Sequence, residues 1–257
     1  MKTAIVIPAR YASTRLPAKA LLDETGKPLI QHVYEQACQS KLADKVVIAT
    51  DDERIMAAIN SFGGHGVMTA TNHPNGTSRI HEAVEKALSD YDIIINVQGD
   101  EPELEPETID HLIDVFAASN AFAGTLVAPF DELANPHSPD VVKAVLGKKQ
   151  QSQNGRDYFD ALYFSRSLVP YPRDEAGKVT NNADFFMHIG MYAYTPESLK
   201  VYAGLPEGRL EQIEKLEQLR ILENGHRMIA GIVSHAAKGI DTAENYKDFL
   251  KRWQSKN

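Results

Sequence analysis

The feature that most constrains the fold is the alternation of short apolar runs with helix-period stretches in the first half of the chain. Strand patterns occur at residues 3–7, 45–50, 65–69, 92–97 and 123–128. Between them, helical periodicity covers about 28–39, 52–62, 77–88 and 106–118. Runs such as IIINV and VVIAT are almost continuously apolar, which is typical of strands covered on both faces. The pattern predicts a three-layer α/β fold with a mostly parallel sheet.

The second half departs from this alternation at about residue 141. Strand patterns at 141–146, 159–165 and 186–194 are joined by long polar connections without a full helix. They predict an antiparallel element at about 141–195, inserted into a single domain of residues 1–257. The polar segment 147–157 is expected to be an exposed, mobile hairpin tip without a chemical role. Helices are predicted again near 196–202, 209–224 and 242–253, with a strand at about 227–233.

Charge and cysteine content limit the partners and the compartment. Asp and Glu number 35 against 27 Lys and Arg, so the surface repels nucleic acid and anionic membranes, and neither is expected as a partner. The single cysteine allows no internal disulfide. The apolar run before Pro8 is shorter than the core of a secretion signal, and no run approaches the ~20 apolar residues of a membrane span. We therefore expect a cytoplasmic protein.

A basic loop follows the first predicted strand. Arg10, Arg15 and Lys19 stand in a stretch from Thr3 to Leu22 that contains no acid. In α/β sheets the loop after the first strand is a common anion site, so these cations predict phosphate binding, with a triphosphate as a suitable ligand. A solvated basic loop is the simpler alternative. The glycine patterns of dinucleotide-binding folds and of the P-loop are absent here, so side-chain cations must supply the contacts.

An aspartate at the end of another strand predicts a metal ligand. Asp100 follows the apolar run 93–97, and Mg²⁺ needs only one or two carboxylates when phosphate oxygens and waters complete its coordination. A plain Gly-Asp turn is an equal alternative. The acids at 51–53 compete for this role, but Asp52 is better interpreted as a helix N-cap.

The predicted helix 209–224 places an acid among apolar residues. At 100° per residue, Glu217 falls on one face with Leu210, Ile213 and Ile221, so its carboxylate should point inward. A buried carboxylate needs a partner, which sugar hydroxyls or a buried arginine would provide. The adjacent Gln218 is less constrained.

Several other polar residues remain open on spacing alone. His188 lies within a strand pattern, where a lone histidine is usually structural. Arg166 and Arg173 flank a connection that could present both cations to a carboxylate. The segment 76–79 begins a helix, and it either caps that helix or contacts a nucleotide.

Motifs spread over residues 7–245 resemble the 3-deoxy-manno-octulosonate (Kdo) cytidylyltransferase family, also called CMP-Kdo synthetases. They are IPARYASTRLPAK, HPNGTSR, NVQGDEP, LYFSR, PYPRD, HIGMYAY, IEKLEQLR and GIDTAEN, in this order. The resemblance implies a nucleotidyltransferase fold and transfer of CMP from CTP to the anomeric hydroxyl of an acidic eight-carbon sugar. It also implies release of pyrophosphate, dependence on Mg²⁺, a role in lipopolysaccharide synthesis, and a homodimer.

The resemblance assigns roles by position in these motifs. It implies that Arg10, Arg15 and Lys19 hold the triphosphate, and that these three and Asp100 are the catalytic set. Gly76, Thr77 and Arg79 would bind the nucleotide, and Asp100 and Asp241 the metal. The implied sugar pocket consists of Gln98, Arg166, Arg173, His188, Tyr192, Glu217 and Gln218.

Departures from the family pattern bear mainly on the sugar. Ala18 stands where the family usually has glycine, and Met187 where Arg or Lys is expected before His188. Loss of a cation near the sugar makes 8-amino-Kdo, or another acidic sugar, an alternative substrate. Strand alternation would place Met187 and His188 on opposite faces, in which case Met187 has no such effect. A non-catalytic nucleotide-binding regulator is a remoter alternative, which the retained Lys19, Asp100 and Asp241 disfavour.

Overall fold

The computed structural model describes residues 1–12, 15–131 and 134–256. The chain divides into two compact units, one formed by Met1–Asp110 with Ala237–Asn257 and the other by His111–Ala236. The boundary at residue 110 precedes the predicted antiparallel element, so the second unit contains more than that element. A single domain over residues 1–257 stays a prediction.

The described residues form strands and helices close to the predicted ones. The strands are β1 (Thr3–Ala9), β2 (Lys45–Thr50), β3 (Gly66–Met68), β4 (Ile93–Asn96), β5 (Ala123–Pro129), β6 (Lys143–Gln151), β7 (Asp157–Ser165), β8 (Phe186–Tyr194) and β9 (Met228–Ile232). The α-helices are α1 (Leu29–Ala37), α2 (Glu53–Ser61), α3 (Gly76–Ala87), α4 (Pro106–Ala117), α5 (Pro196–Gly204), α6 (Arg209–Glu214), α7 (Leu219–Glu223) and α8 (Ala243–Lys256). Within the described residues, no helix is long and apolar enough to cross a bilayer.

The first unit has a parallel sheet in the order β3-β2-β1-β4. Strand β1 is apolar after Thr3, and its residues Ala4, Ile5, Val6 and Ile7 are fully buried, as strands covered on both faces must be. Asp52 caps α2 by accepting a hydrogen bond from the main-chain N–H of Arg54 at 2.9 Å. The parallel βαβ prediction and the capping role of Asp52 are both confirmed here.

Helix α8 packs against the start of α1 in this unit. Leu29 of α1 is buried together with Ile240, Tyr246 and Phe249. Burial of these large side chains contributes about 1.5–3 kcal/mol each. The contact fixes the chain on both sides of Asp241, which lies between Ile240 and α8.

The second unit contains a mixed sheet. Strands β5 and β9 pair in parallel, whereas the pairings β5–β8, β6–β7 and β7–β9 are antiparallel. The antiparallel element predicted at 141–195 is present as β6, β7 and β8. A mostly parallel sheet therefore describes the first unit only, because the β6–β7 hairpin and the return strand β8 reverse direction without a crossover helix.

The hairpin tip differs from the prediction for residues 147–157. Strands β6 and β7 continue into this segment, and Ser152 at the turn is buried. Its hydroxyl donates to Asp114 Oδ2 of α4 at 2.7 Å, and the Asn154 amide donates to Oδ1 of the same carboxylate. Most residues of the tip are exposed, as predicted, but the sequence did not reveal this anchor on another element, and the mobility of the tip stays a prediction.

The prediction of one continuous helix over residues 209–224 was also wrong. Helix α6 ends at Glu214, its C-cap Lys215 has a left-handed backbone conformation (φ 54°), and α7 begins only at Leu219. A single left-handed residue breaks the periodicity, so residues on either side do not share a face. Ile213, placed in the inward stripe, is exposed.

Candidate active site

The first unit presents the basic loop after β1. Arg10 follows the strand directly and is exposed, and Arg15 donates from Nη2 to Asp241 Oδ1 at 3.0 Å. Ser13 and Thr14 of the same motif lie outside the described residues. Lys19 begins a single 3₁₀ turn, Lys19–Leu21. Two of the three predicted phosphate cations thus point toward one end of the sheet, where Asp241 is located.

Lys19 joins the two aspartates that the resemblance assigns to metal binding. Its Nζ lies 2.7 Å from Asp100 Oδ2 and 3.2 Å from Asp241 Oδ1, and its side chain is 17% exposed. Two carboxylates therefore converge on one cation. Oxygen donors of this kind suit Mg²⁺, which is commonly held by one or two carboxylates while phosphate oxygens and waters complete its coordination. The residues present fit this metal.

Main-chain contacts explain why these residues meet. Asp100 O accepts a hydrogen bond from Ile240 N at 2.8 Å, which brings Asp241 beside Asp100. A Cβ on Gly99 would lie only 2.9 Å from the Pro8 carbonyl oxygen, so only glycine allows the loop after β4 to approach β1 this closely. Gln98, assigned to the sugar pocket, lies on this loop in the first unit and is partly buried.

Sequence reasoning overlooked the acid next to Asp100. Burial, and secondarily the charge of Asp100, raise the pKa of Glu101 to about 8. This carboxyl therefore keeps its proton to a higher pH than an ordinary glutamate does. The signal available in the sequence was the acidic pair itself, but its burial depends on the fold.

The beginning of α3 shows different environments for the three predicted nucleotide residues. Gly76 is the first helical residue, and Thr77 is buried. Arg79 is also buried, and its guanidinium donates to Asp51 Oδ2 and Thr69 Oγ1, each at 2.7 Å. These two contacts link the ends of β2 and β3 to α3, so Arg79 stabilises the start of that helix, and its contact with a nucleotide stays a prediction.

The second unit brings together three predicted sugar residues. The His188 ring on β8 lies beside Tyr192 of the same strand, with ring centroids 5.5 Å apart. Gln218 is buried, its Nε2 lies 3.5 Å from His188 Nδ1, and its Oε1 accepts from the Tyr192 hydroxyl at 3.3 Å. Burial lowers the pKa of His188 to about 3, so the ring is neutral. These side chains form a connected polar group that suits sugar hydroxyls.

The buried acid of this segment is Glu211, which the sequence analysis did not single out. Its carboxylate accepts two hydrogen bonds of 2.7 Å from Arg220, and the two side chains are 6% and 14% exposed. Glu217 lies between α6 and α7 and is only half-buried. Burial, followed by the charge of Glu217, raises the pKa of Tyr192 well above its usual value. The structural Arg–Glu pair therefore exists, but it uses Glu211 and leaves Glu217 near Tyr192.

The two predicted sugar arginines are in different states. Arg166 donates from Nε to Glu214 O at 2.7 Å and from Nη1 to Pro139 O at 2.9 Å, so its guanidinium is bound to main-chain carbonyls. Arg173 lies exposed on the following loop. Lys143 is fully buried and donates to three carbonyls, one of which belongs to Arg166. No sequence signal distinguished Lys143 from an ordinary strand lysine.

Similarity to known proteins identifies the family. The cytidylyltransferase family profile matches residues 4–229. A 3-deoxy-manno-octulosonate cytidylyltransferase of Thermodesulfovibrio yellowstonii is 46% identical over 252 residues, covering 95% of both chains. The chain belongs to this cytidylyltransferase family. An 8-amino-3,8-dideoxy-manno-octulosonate cytidylyltransferase of Shewanella woodyi is 40% identical, with 96% of both chains covered.

Solved structures of the family agree. A CMP:2-keto-3-deoxy-manno-octonic acid synthetase complexed with CTP is 38% identical and superposes with a TM-score of 0.89 over the full length of both chains. A nucleotidyl transferase from Methanothermobacter thermautotroptrophicus has a TM-score of 0.61 at 14% identity, which shows the shared fold alone. The α/β nucleotidyltransferase fold predicted for this cytidylyltransferase is thus confirmed, while its three layers stay a prediction.

Proposed function

We propose that this chain transfers CMP from CTP to the anomeric hydroxyl of Kdo and releases pyrophosphate, in lipopolysaccharide synthesis. The observation that carries the proposal is the contact of Lys19 with both Asp100 and Asp241 in a chain that matches Kdo cytidylyltransferases over nearly its whole length. Such a group places one cation and two potential metal ligands together, as a reaction on a triphosphate requires.

The cations of the first unit would bind the triphosphate. Arg10 and Arg15 are exposed and extend from the loop after β1, so they can reach phosphate oxygens. Lys19 is held by Asp100 and Asp241, and its ammonium would offset charge on the leaving pyrophosphate. The sugar oxygen forms a bond to the α-phosphorus while the bond from that phosphorus to the bridging oxygen of pyrophosphate breaks. The hydroxyl proton passes to solvent.

Asp100 and Asp241 would hold Mg²⁺. When bound, the ion neutralises phosphate charge and aligns the triphosphate for in-line displacement. The two carboxylates would then exchange part of their contact with Lys19 for the metal. Gly76 and Thr77 would contact the nucleotide, and Arg79 would support them through Asp51.

The sugar would bind to groups of the second unit. His188, Tyr192 and Gln218 offer hydrogen bonds to hydroxyls, and Glu217 adds an acceptor near Tyr192. Arg173 is the exposed cation suited to the sugar carboxylate, while Arg166 fixes the main chain around residues 139 and 214. Gln98 belongs to the first unit, and we assign it to the substrate as the resemblance implies.

8-Amino-Kdo is the second candidate sugar. This sugar appears in the name of the Shewanella woodyi relative. In this chain, Met187 stands where the family pattern has a cation. In the structure Met187 is paired with Ala128 and His188 with Val127 along a regular stretch of β8, so their side chains lie on opposite faces. Because His188 is the one that joins Tyr192 and Gln218, this geometry favours Kdo. Unchanged relative kcat/KM for the two sugars in Met187→Arg is the expected result, and a shift toward Kdo would restore the alternative.

Pyrophosphate release with CTP, Mg²⁺ and each sugar tests the proposed function directly. Kdo should give the highest kcat/KM, with 8-amino-Kdo and a sialic acid as comparison substrates. We expect that omission of Mg²⁺ abolishes turnover. No release with any sugar, despite CTP binding, would instead support a non-catalytic regulator.

The remaining assignments are proposals from charge and family. We infer a cytoplasmic protein without nucleic-acid or membrane partners, because the chain has a formal charge of −8 and one free cysteine, Cys38. We infer a homodimer because the resemblance to the family implies one. Light scattering would measure the oligomeric state.

A further inference from the structure

A fully buried threonine contacts the His188 ring. Thr125 of β5 is 0% exposed, and its Oγ1 is 2.9 Å from His188 Nε2. The same oxygen is 2.8 Å from the Met191 carbonyl oxygen and 3.1 Å from that of Ile189. Neither the family motifs nor the sequence patterns singled out this residue.

A register shift between β5 and β8 creates this arrangement. Thr125 is paired with Tyr192, but the next residue, Leu126, is paired with Ile189. Gly190 and Met191 therefore bulge out of the ladder, and nearby carbonyls of β8 turn toward the Thr125 hydroxyl. The side chain thus occupies a place where regular ladder hydrogen bonds are interrupted.

The contacts of Thr125 determine which ring nitrogen of His188 carries the proton. A hydroxyl has one proton, and carbonyl oxygens only accept, so the proton of Thr125 points to Met191 or Ile189. Its oxygen is then left to accept from His188 Nε2–H. Donation in the other direction would place the hydroxyl lone pairs against two carbonyl oxygens.

The hydrogen bonds of Gln218 follow from the same assignment of donors and acceptors. With Nε2 protonated, Nδ1 of neutral His188 is an acceptor and receives an N–H from Gln218. The amide must then present Oε1 to the other side, where the Tyr192 hydroxyl donates to it. The second N–H of Gln218 and the lone pairs of the Tyr192 oxygen take no part in this chain of hydrogen bonds.

We propose that Thr125 is a positioning residue that fixes His188 as the Nε2–H tautomer and thereby orients Gln218 and Tyr192 toward the sugar. The chain of hydrogen bonds runs from Tyr192 through Gln218 and His188 to Thr125. It sets one donor and one acceptor for sugar hydroxyls. The role in sugar binding rests on the proposed function, whereas the tautomer does not.

The tautomer is measurable by ¹⁵N NMR of the ring nitrogens in the full-length protein, with His188→Gln used to assign the signal. The wild-type protein should show a protonated Nε2 and an unprotonated Nδ1 without any substrate. Thr125→Val keeps the shape but removes the acceptor, so the Nδ1–H tautomer should become populated. Thr125→Ser should restore the wild-type signal. Thr3→Val, which changes a buried strand threonine of the other unit, is the matched control and should leave it unchanged.

Kinetics then test the effect on the sugar. Thr125→Val should raise KM for Kdo roughly 3- to 10-fold, about what a lost hydrogen bond is worth, with KM for CTP unchanged. Thr125→Ser should recover most of the loss. A wild-type Nδ1–H tautomer, or no change of tautomer in Thr125→Val, would overturn the proposal, as would a moved tautomer with unchanged sugar KM. If Thr125→Val does not fold, the wild-type spectrum alone decides the tautomer. Absence of turnover by the wild-type protein would contradict the proposed function without affecting that spectrum.

Discussion

Replacing Glu211 by glutamine should destabilise the protein much more than the same change at Glu217. The Glu211 carboxylate accepts both hydrogen bonds from Arg220, and the two side chains are 6% and 14% exposed. Breaking such a buried pair costs about 3–5 kcal/mol, because the remaining charge is left without compensation. Glutamine keeps one acceptor oxygen, so we expect the free energy of unfolding to fall by the lower end of this range, about 3 kcal/mol. For a chain of this size that corresponds to a fall in Tm of about 6–12 °C.

Thermal denaturation followed by circular dichroism measures this effect. Glu217→Gln is the matched control, since Glu217 is half-buried in the same segment and should change Tm little while raising KM for the sugar. The double variant Glu211→Leu/Arg220→Met should recover part of the lost stability, because it removes both charges. Equal Tm values for Glu211→Gln and the wild-type protein would refute the structural role of this pair.

Four further substitutions concern the basic loop and its aspartates. Asp100→Asn and Asp241→Asn should each lower kcat by about 100-fold or more with little change in Tm, since each removes a metal ligand; near-normal turnover in both would contradict the metal assignment. Lys19→Ala should raise KM for CTP and lower kcat, because it removes a phosphate cation, and unchanged CTP titrations would exclude that role. Ala18 has a left-handed backbone conformation (φ 53°), which is strained for a residue with a Cβ. Ala18→Gly should therefore stabilise the protein by about 0.5–1 kcal/mol after subtraction of the entropy that glycine adds to the unfolded chain. A lower Tm of this variant would show that the strain is absent.

Local sequence pattern was sufficient to predict the features that depend on a single strand, helix or loop. The apolar run of β1, the capping residue Asp52 and the position of Asp100 after β4 all follow from residues adjacent in the chain. The break at Lys215 was missed because its neighbours are good helix formers, and no glycine marks the left-handed residue. Helical periodicity therefore pointed to Glu217, which is half-buried, and missed Glu211, which is buried and paired with Arg220.

The sequence by itself determined the α/β class, the basic loop and the family, because strand and helix periods and motif order are properties of consecutive residues. Only the tertiary structure decided which charges meet. Lys19 joins Asp100 and Asp241 across 81 and 222 residues of chain, and Thr125 reaches His188 across 63. Such pairs depend on how strands are ordered and shifted against each other, which short-range propensities do not encode. Arg79 and Arg166 are further examples. The motifs identified these residues, but only the packing around each side chain determined which groups its guanidinium contacts.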